Sequence, residues 1–225
     1  MPQQNTIDQN GNARFSKAEE RAHYFSHGVG VAFAVPAVAL LVVLAARQSR
    51  ATLIGCAVYG AALVLMYAAS TAYHATPPAM PRTKHAFHVL DHCAIFLLIS
   101  GTYTPLALTV LHNSRGYVLL AVVWVLSLYG LYRVILRRNP KHGGPVLLYL
   151  TIGWAVALTV PELLHALGNR ALFLLLAGGV SYTLGVPFYA LRRLRYHHAI
   201  WHGFVLVGSA FHFLAIFNFV VSYPS

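Results

Sequence analysis

The sequence predicts an all-α polytopic membrane protein, a bundle of seven transmembrane helices with a cytoplasmic N-terminus and an external C-terminus. Three observations carry this. Of 225 residues 58% are apolar and only 9% charged, whereas a soluble domain carries about 25% charged residues. Seven apolar runs approach or reach the ~20 residues that a helix needs to cross a ~30 Å hydrocarbon core. The basic residues divide unequally between the two sides that those runs define. The same composition excludes a disordered chain, which needs low hydrophobicity. It also excludes a soluble nucleic-acid binder: the net charge of +11 is too sparse to coat a solvated surface. No nucleic-acid partner is expected.

Residues 1–26 form a polar cytoplasmic tail holding Asp8, Glu19 and Glu20, three of the five acidic residues. Residues 1–14 read as disordered. Ser16-Lys17-Ala18-Glu19 matches a capping box, so a short interfacial helix leads from there into the membrane. The lead-in is too long and acidic for a signal peptide. Residues 27–225 form the seven-helix domain, with spans at 27–46, 52–73, 87–109, 116–136, 145–161, 171–190 and 199–221. The fifth is the shortest, closed by Pro161 and Glu162. Tyr103, Thr104 and Pro105 predict a kink in the third, the threonines re-satisfying backbone groups that the proline frees. Cys56 and Cys93 lie in apolar runs without a disulfide or CxxC spacing and are expected to pack. Trp124, Trp154 and Trp201 read as interface or packing residues.

Lys and Arg fix the orientation. The N-terminal side holds Arg14, Lys17, Arg21, Arg82, Lys84, Arg133, Arg137, Arg138, Lys141, Arg192, Arg193 and Arg195. The other side holds Arg47, Arg50, Arg115 and Arg170. Twelve against four of the sixteen places the N-terminus inside, and an odd number of spans sends the C-terminus out.

Ionisable residues at membrane depth are costly and are functional candidates by default. Ten of the thirteen histidines fall on the cytoplasmic side. His23 and His27 lie where the first helix enters, with Glu20, which is expected to pair with Arg21 or nearby lysines on a wetted surface. Ser70 and His74 lie at the end of the second helix, and His85, His88, Asp91 and His92 open the third. His197, His198 and His202 open the seventh, and His142 sits solvated in the loop with Lys141. His112 and His165 lie on the other side, and His212 deep in the seventh helix. Residues four apart share a helix face, so His198/His202, His88/His92 and His23/His27 are each able to chelate one metal. Three imidazoles and a water make an open tetrahedral zinc site, and a nearby carboxylate outside the coordination sphere then serves as general base and acid. Spacing does not choose among the pairs. Asp91 equally reads as a helix-entry carboxylate favoured by the dipole, and Ser70 as a hydroxyl bonded back to its own helix.

Five motifs resemble the haemolysin III family, the bacterial branch of the progestin and adiponectin receptor (PAQR) superfamily. They are Ser70-Thr71-Ala72-Tyr73-His74, Leu90-Asp91-His92-Cys93-Ala94-Ile95-Phe96, Gly101-Thr102-Tyr103-Thr104-Pro105, His198-Ala199-Ile200-Trp201-His202 and Gly208-Ser209-Ala210-Phe211-His212-Phe213. Glu20 to His27 fits the family's opening motif, Glu-x-x-Asn-x-x-Ser/Thr-His, except that His23 stands where the family usually has Asn. The resemblance covers nearly the whole chain. It implies a seven-helix bundle with Zn2+ on His74, His198 and His202 near the cytoplasmic face, Asp91 near the metal-bound water and Ser70 beside it. It further implies a ceramidase-like hydrolase of an amide or ester bond in a membrane lipid, contributing to membrane lipid homeostasis in a multi-pass cell-membrane protein. Two other readings are a non-catalytic sensor or receptor with structural zinc, and a haemolysin-type pore-former. The spans offer no periodic polar row to line a pore.

Overall fold

A computed structural model describes residues 15–136, 146–191 and 193–223. The expected disordered tail 1–14, with Arg14, and the loop residues Arg137, Arg138, Lys141, His142 and Arg192 lie outside the described residues. The described chain is entirely helical. Helix α1 spans Lys17–Ala45, α2 Arg50–Ala75, α3 Pro81–Pro105, α4 Ser114–Leu136, α5 Val146–Gly153, α6 Val160–Ala190 and α7 His197–Ala215. Among the described residues six helical segments are long and apolar enough to cross a membrane, and the protein is a multi-pass membrane protein.

Local chemistry sets the ends. Ser16 and Glu19 form the reciprocal capping box that opens α1, each satisfying a backbone N–H that the first turn leaves unpaired. Helix α1 then runs unbroken into its apolar stretch, so the lead-in and the first span are one helix. Pro81 opens α3, its missing N–H costing nothing in the first turn. The third helix therefore starts six residues before the apolar run at 87, and Asp91 lies well inside it. The helix dipole falls off within the first turn, so a helix-entry role for Asp91 does not fit.

At Pro105 the ladder slips by one residue into a π-helical turn, Leu106–Val110. Thr104 Oγ1 donates to Ser100 O at 2.8 Å and Thr109 Oγ1 to Pro105 O; neither reaches Gly101 O, the carbonyl that the proline frees. Helix α2 comes close here: a Cβ on Gly55 would lie 2.6 Å from the Pro105 Cα, so only glycine permits the contact.

The fifth apolar run departs from expectation. Pro161 does not close it but sits in the first turn of α6, after a 3-10 stretch at Trp154–Thr159. Helical structure continues to Ala190, a 45-residue segment from Val146. Straight, it would extend about 67 Å at 1.5 Å per residue, more than twice the hydrocarbon thickness. It is broken at Gly168, where φ 78° and ψ 177° form a conformation open to glycine.

Packing joins α1 to α2, α2 to α3, α3 to α4, α6 to α7, and α7 back to α1. The main core includes Leu41, Tyr59, Leu63, Met66, Leu163 and Ile216. A smaller one, around Phe96, Leu119, Val123 and Ile152, seats α4 and α5 on α3. Cys56 and Cys93 are buried free thiols. Trp124 and Trp154 donate to Thr104 Oγ1 at 3.2 Å and Thr183 Oγ1 at 3.0 Å, which makes both packing residues.

Candidate metal centre

The starts of α1, α3 and α7 and the end of α2 meet at one end of the bundle. Helix α7 begins from Tyr196, which is left-handed at φ 58°, a conformation costing a non-glycine residue about 1–2 kcal/mol. Its N–H donates to Glu19 Oε1 at 3.3 Å. The carboxylate that caps α1 thus also fixes the turn preceding His197 and His198.

His198 and His202, one turn apart on α7, hold their ring centres 4.6 Å apart. His74, in the last turn of α2, lies 5.1 and 5.3 Å from them. One nitrogen of each lies within 4.8 Å of the others, a spacing able to hold a metal ion. His74 Nδ1 is 2.7 Å from Glu20 Oε2, and His202 Nδ1 is 2.9 Å from Ser26 Oγ and 3.2 Å from His23 O. A ligating histidine needs that arrangement, one nitrogen held by a carboxylate, hydroxyl or carbonyl and the other left for the metal. His74 Nε2 is buried without any hydrogen-bond partner, a costly state for a polar atom. By that observation the donor set fits a zinc ion: three clustered imidazoles, two of them, His74 and His202, buried with their outer nitrogens anchored.

The other spaced pairs differ. His88 and His92 have rings 4.4 Å apart, but His92 Nδ1 bonds to His88 O at 2.9 Å. Neither belongs to a metal-sized group among the described residues. His27 is stacked on His202 at 3.6 Å and 8°. His212 Nε2 meets Leu175 O at 3.0 Å, and His197 Nδ1 meets Phe188 O at 2.9 Å.

Ser70 and Asp91 line a cavity of about 150 Å³ together with His27, His92, His198 and His202. Ser70, 1% exposed, stands beside the Asp91 carboxylate. From this polar end the cavity continues between α3, α5, α6 and α7 past Ile95, Leu98, Ile99, Leu150, Val186 and Val205. It therefore offers a carboxylate and a hydroxyl next to two of the imidazoles, and an apolar body behind them.

Glu20 differs from the expected surface residue. It does pair with a lysine, Lys84 Nζ at 3.0 Å from Oε1, but its other oxygen holds His74. Glu20, Ser26 and the fully buried His23 lie at the site; spacing had offered His23 only as a partner of His27, and had not shown Glu20 or Ser26. Their position in the opening motif, eight residues with Glu, Ser and two His, was the available signal.

These features define a helical membrane protein with an imidazole cluster at one end of its bundle. A model of the family described as "Haemolysin-III related" matches residues 15–213. The chain is 35% identical to the "Hemolysin-3 homolog" of Bacillus subtilis (strain 168), covering 93% of this chain and 98% of the relative. It is 37% identical to "Hemolysin-3" of Bacillus cereus over 90% and 92% of the two chains. It is 28% identical to the human "Monocyte to macrophage differentiation factor" over 75% and 71%. The chain belongs to the haemolysin III family, the bacterial branch of the PAQR superfamily.

Proposed function

We propose that this protein is a zinc-dependent hydrolase of an amide or ester bond in a membrane lipid, with zinc on His74, His198 and His202. The observation that carries the reading is the cavity, which joins Asp91 and Ser70 to the imidazole cluster at one end and is apolar beyond. When bound, zinc supplies Lewis acidity toward a carbonyl oxygen and brings a water's pKa down toward about 7. Asp91 takes the proton of the attacking water and returns it to the leaving group. Ser70 Oγ donates to the carbonyl oxygen as negative charge develops on it. The apolar body takes the acyl chain and excludes water from the reacting end, and Glu20 holds the His74 ring in orientation. A ceramide-like amide has the required form, a polar head at the bundle end and a chain between helices.

The same reading puts the site at the cytoplasmic leaflet. Counting the segment broken at Gly168 as two crossings makes seven, with the twelve basic residues of the N-terminal side inside. Arg115 Nη1 and Glu162 Oε1 meet at 3.0 Å, which supports placing the start of α4 and the start of α6 on one common side, opposite the cluster.

Purified wild-type protein and Asp91→Ala are compared on ceramide and acyl-ester lipids, with zinc content measured for both. The expected loss is about 10²–10⁴-fold, the usual contribution of a general base, at unchanged zinc content. Equal or absent turnover in both, with zinc bound, overturns the hydrolase and leaves a sensor with structural zinc.

A further inference from the structure

A fourth imidazole stands at the same centre. The His23 ring lies 4.7 Å from His74, 5.0 Å from His198 and 5.6 Å from His202. Those three are separated from one another by 5.1, 5.3 and 4.6 Å. The six separations are the edges of a nearly regular tetrahedron with one ring at each vertex. Nitrogens about 2.0–2.1 Å from a common zinc ion, with each ring centre about 1.1 Å beyond, set tetrahedral imidazoles about 5 Å apart.

Among the described residues no hydrogen bond accounts for this side chain. His23 is 0% exposed, and neither ring nitrogen has a hydrogen-bond partner. The nearest carboxylate oxygen, Glu20 Oε2, is 3.8 Å from Nδ1 and is already held by His74 at 2.7 Å. Phe15 closes the ring's remaining side, edge-on at 4.5 Å. Buried polar atoms are almost always paired, and here two are not.

We infer that His23 is a fourth protein ligand to the metal in this chain. The inference rests on the reading of His74, His198 and His202 as a zinc centre. A His23 nitrogen shares metal-sized spacing with Glu20 and His74, and its ring centre lies 5.0 and 5.6 Å from those of His198 and His202. His198 and His202 line the cavity, whereas His23 does not, so it reaches the centre from the α1 side and leaves the face toward Asp91 and Ser70 free. The centre then has two coordination states. Four imidazoles would make the closed set of a structural site, and release of His23 would give the open position that hydrolysis requires.

Full-length protein in detergent is loaded with Co2+, and histidines around the metal are counted by X-ray absorption in wild type and in His23→Asn. Ligand-field spectra are recorded with and without azide. Wild type should show four imidazoles and a spectrum that azide leaves unchanged. His23→Asn should show three, an azide-sensitive spectrum, and affinity weaker by about tenfold or more, since losing an outer-shell partner already costs about 10–100-fold. A count of three in the wild type overturns the inference even if the variant fails to fold. Identical counts, azide responses and affinities in the two proteins also overturn it. Absence of any bound metal from the wild type is a different failure, of the zinc reading itself.

Discussion

Glu20 Oε2 and His74 Nδ1 lie 2.7 Å apart, joining the first turn of α1 to the last turn of α2 across 54 residues of chain. Lys84 Nζ holds the other oxygen at 3.0 Å and donates to Thr76 O, also at 3.0 Å. The carboxylate is therefore braced from α3 while it orients an imidazole on α2. Removing such a partner costs about 10–100-fold in metal affinity while every ligand remains. Glu20→Ala should show that loss in a competitive chelator titration. Glu20→Gln, whose amide oxygen still accepts from Nδ1–H, should lose less.

The neighbouring carboxylate has a different task. Glu19 Oε2 accepts from the Ser16 N–H at 2.9 Å and the Ser16 hydroxyl at 2.8 Å, while Oε1 accepts from Tyr196 N. Ser16→Ala removes half of the capping box, at about 1 kcal/mol. Glu19→Ala removes the other half and strands the Tyr196 N–H beside a strained residue, so it should cost about 1–3 kcal/mol more. Unfolding of both variants in detergent measures the difference. Equal losses would mean that the link to α7 contributes nothing.

Tyr103 bridges helices at the point where α5 gives way to 3-10 geometry. Its hydroxyl accepts from Val156 N at 2.7 Å and lies 2.8 Å from Gly153 O and 3.0 Å from Ile152 O. Tyr103→Phe leaves these groups unpaired at 6% exposure of the tyrosine, and should destabilise by about 1–3 kcal/mol. The same unfolding measurement checks it, with metal affinity unchanged.

Binding to the folded state alone stabilises by RT ln(1 + [L]/Kd), about 2.7 kcal/mol at a hundredfold excess over Kd. Chelation of the wild type should lower its unfolding temperature accordingly. His198→Ala/His202→Ala should unfold at the same temperature with and without chelator. A chelator effect that survives in the double variant would place the metal elsewhere.

Apolar run length and the scarcity of charge carried the membrane fold, because the bilayer constrains both directly. Those rules do not register where a helix begins in polar sequence, so the run at 87 missed Pro81 and six residues of α3. Nor do they register a break inside an apolar run: Gly168 looks ordinary until its φ of 78° is seen. For the site, four-residue spacing proposed three histidine pairs with equal force. It could not separate His92, satisfied by its own backbone, from His198 and His202, which meet His74 at metal-sized spacing. The grouping of Glu20 and His23 with His74 was hidden for a related reason. Their partners lie on α2, α3 and α7, and only tertiary packing brings a polar lead-in against helices more than 50 residues away.

The apolar half of the cavity yields the last prediction. Gly179 lines it, and a Cβ there would meet only the Trp154 ring, at an ordinary 3.7 Å. A longer side chain is therefore accommodated by the backbone and projects into the lumen. Gly179→Leu should leave metal content unchanged, since the side chain that a Cβ there meets is Trp154 and none of the histidines. On the proposed hydrolase reading it should shorten the acyl chain accepted, so turnover of long-chain lipids falls while that of short-chain analogues is retained. One or two methylenes excluded from an apolar pocket are worth about 1–3 kcal/mol, or roughly 10–200-fold in specificity. A homologous series of acyl amides of increasing length provides the measurement. A uniform loss at every length would place the acyl chain outside this cavity.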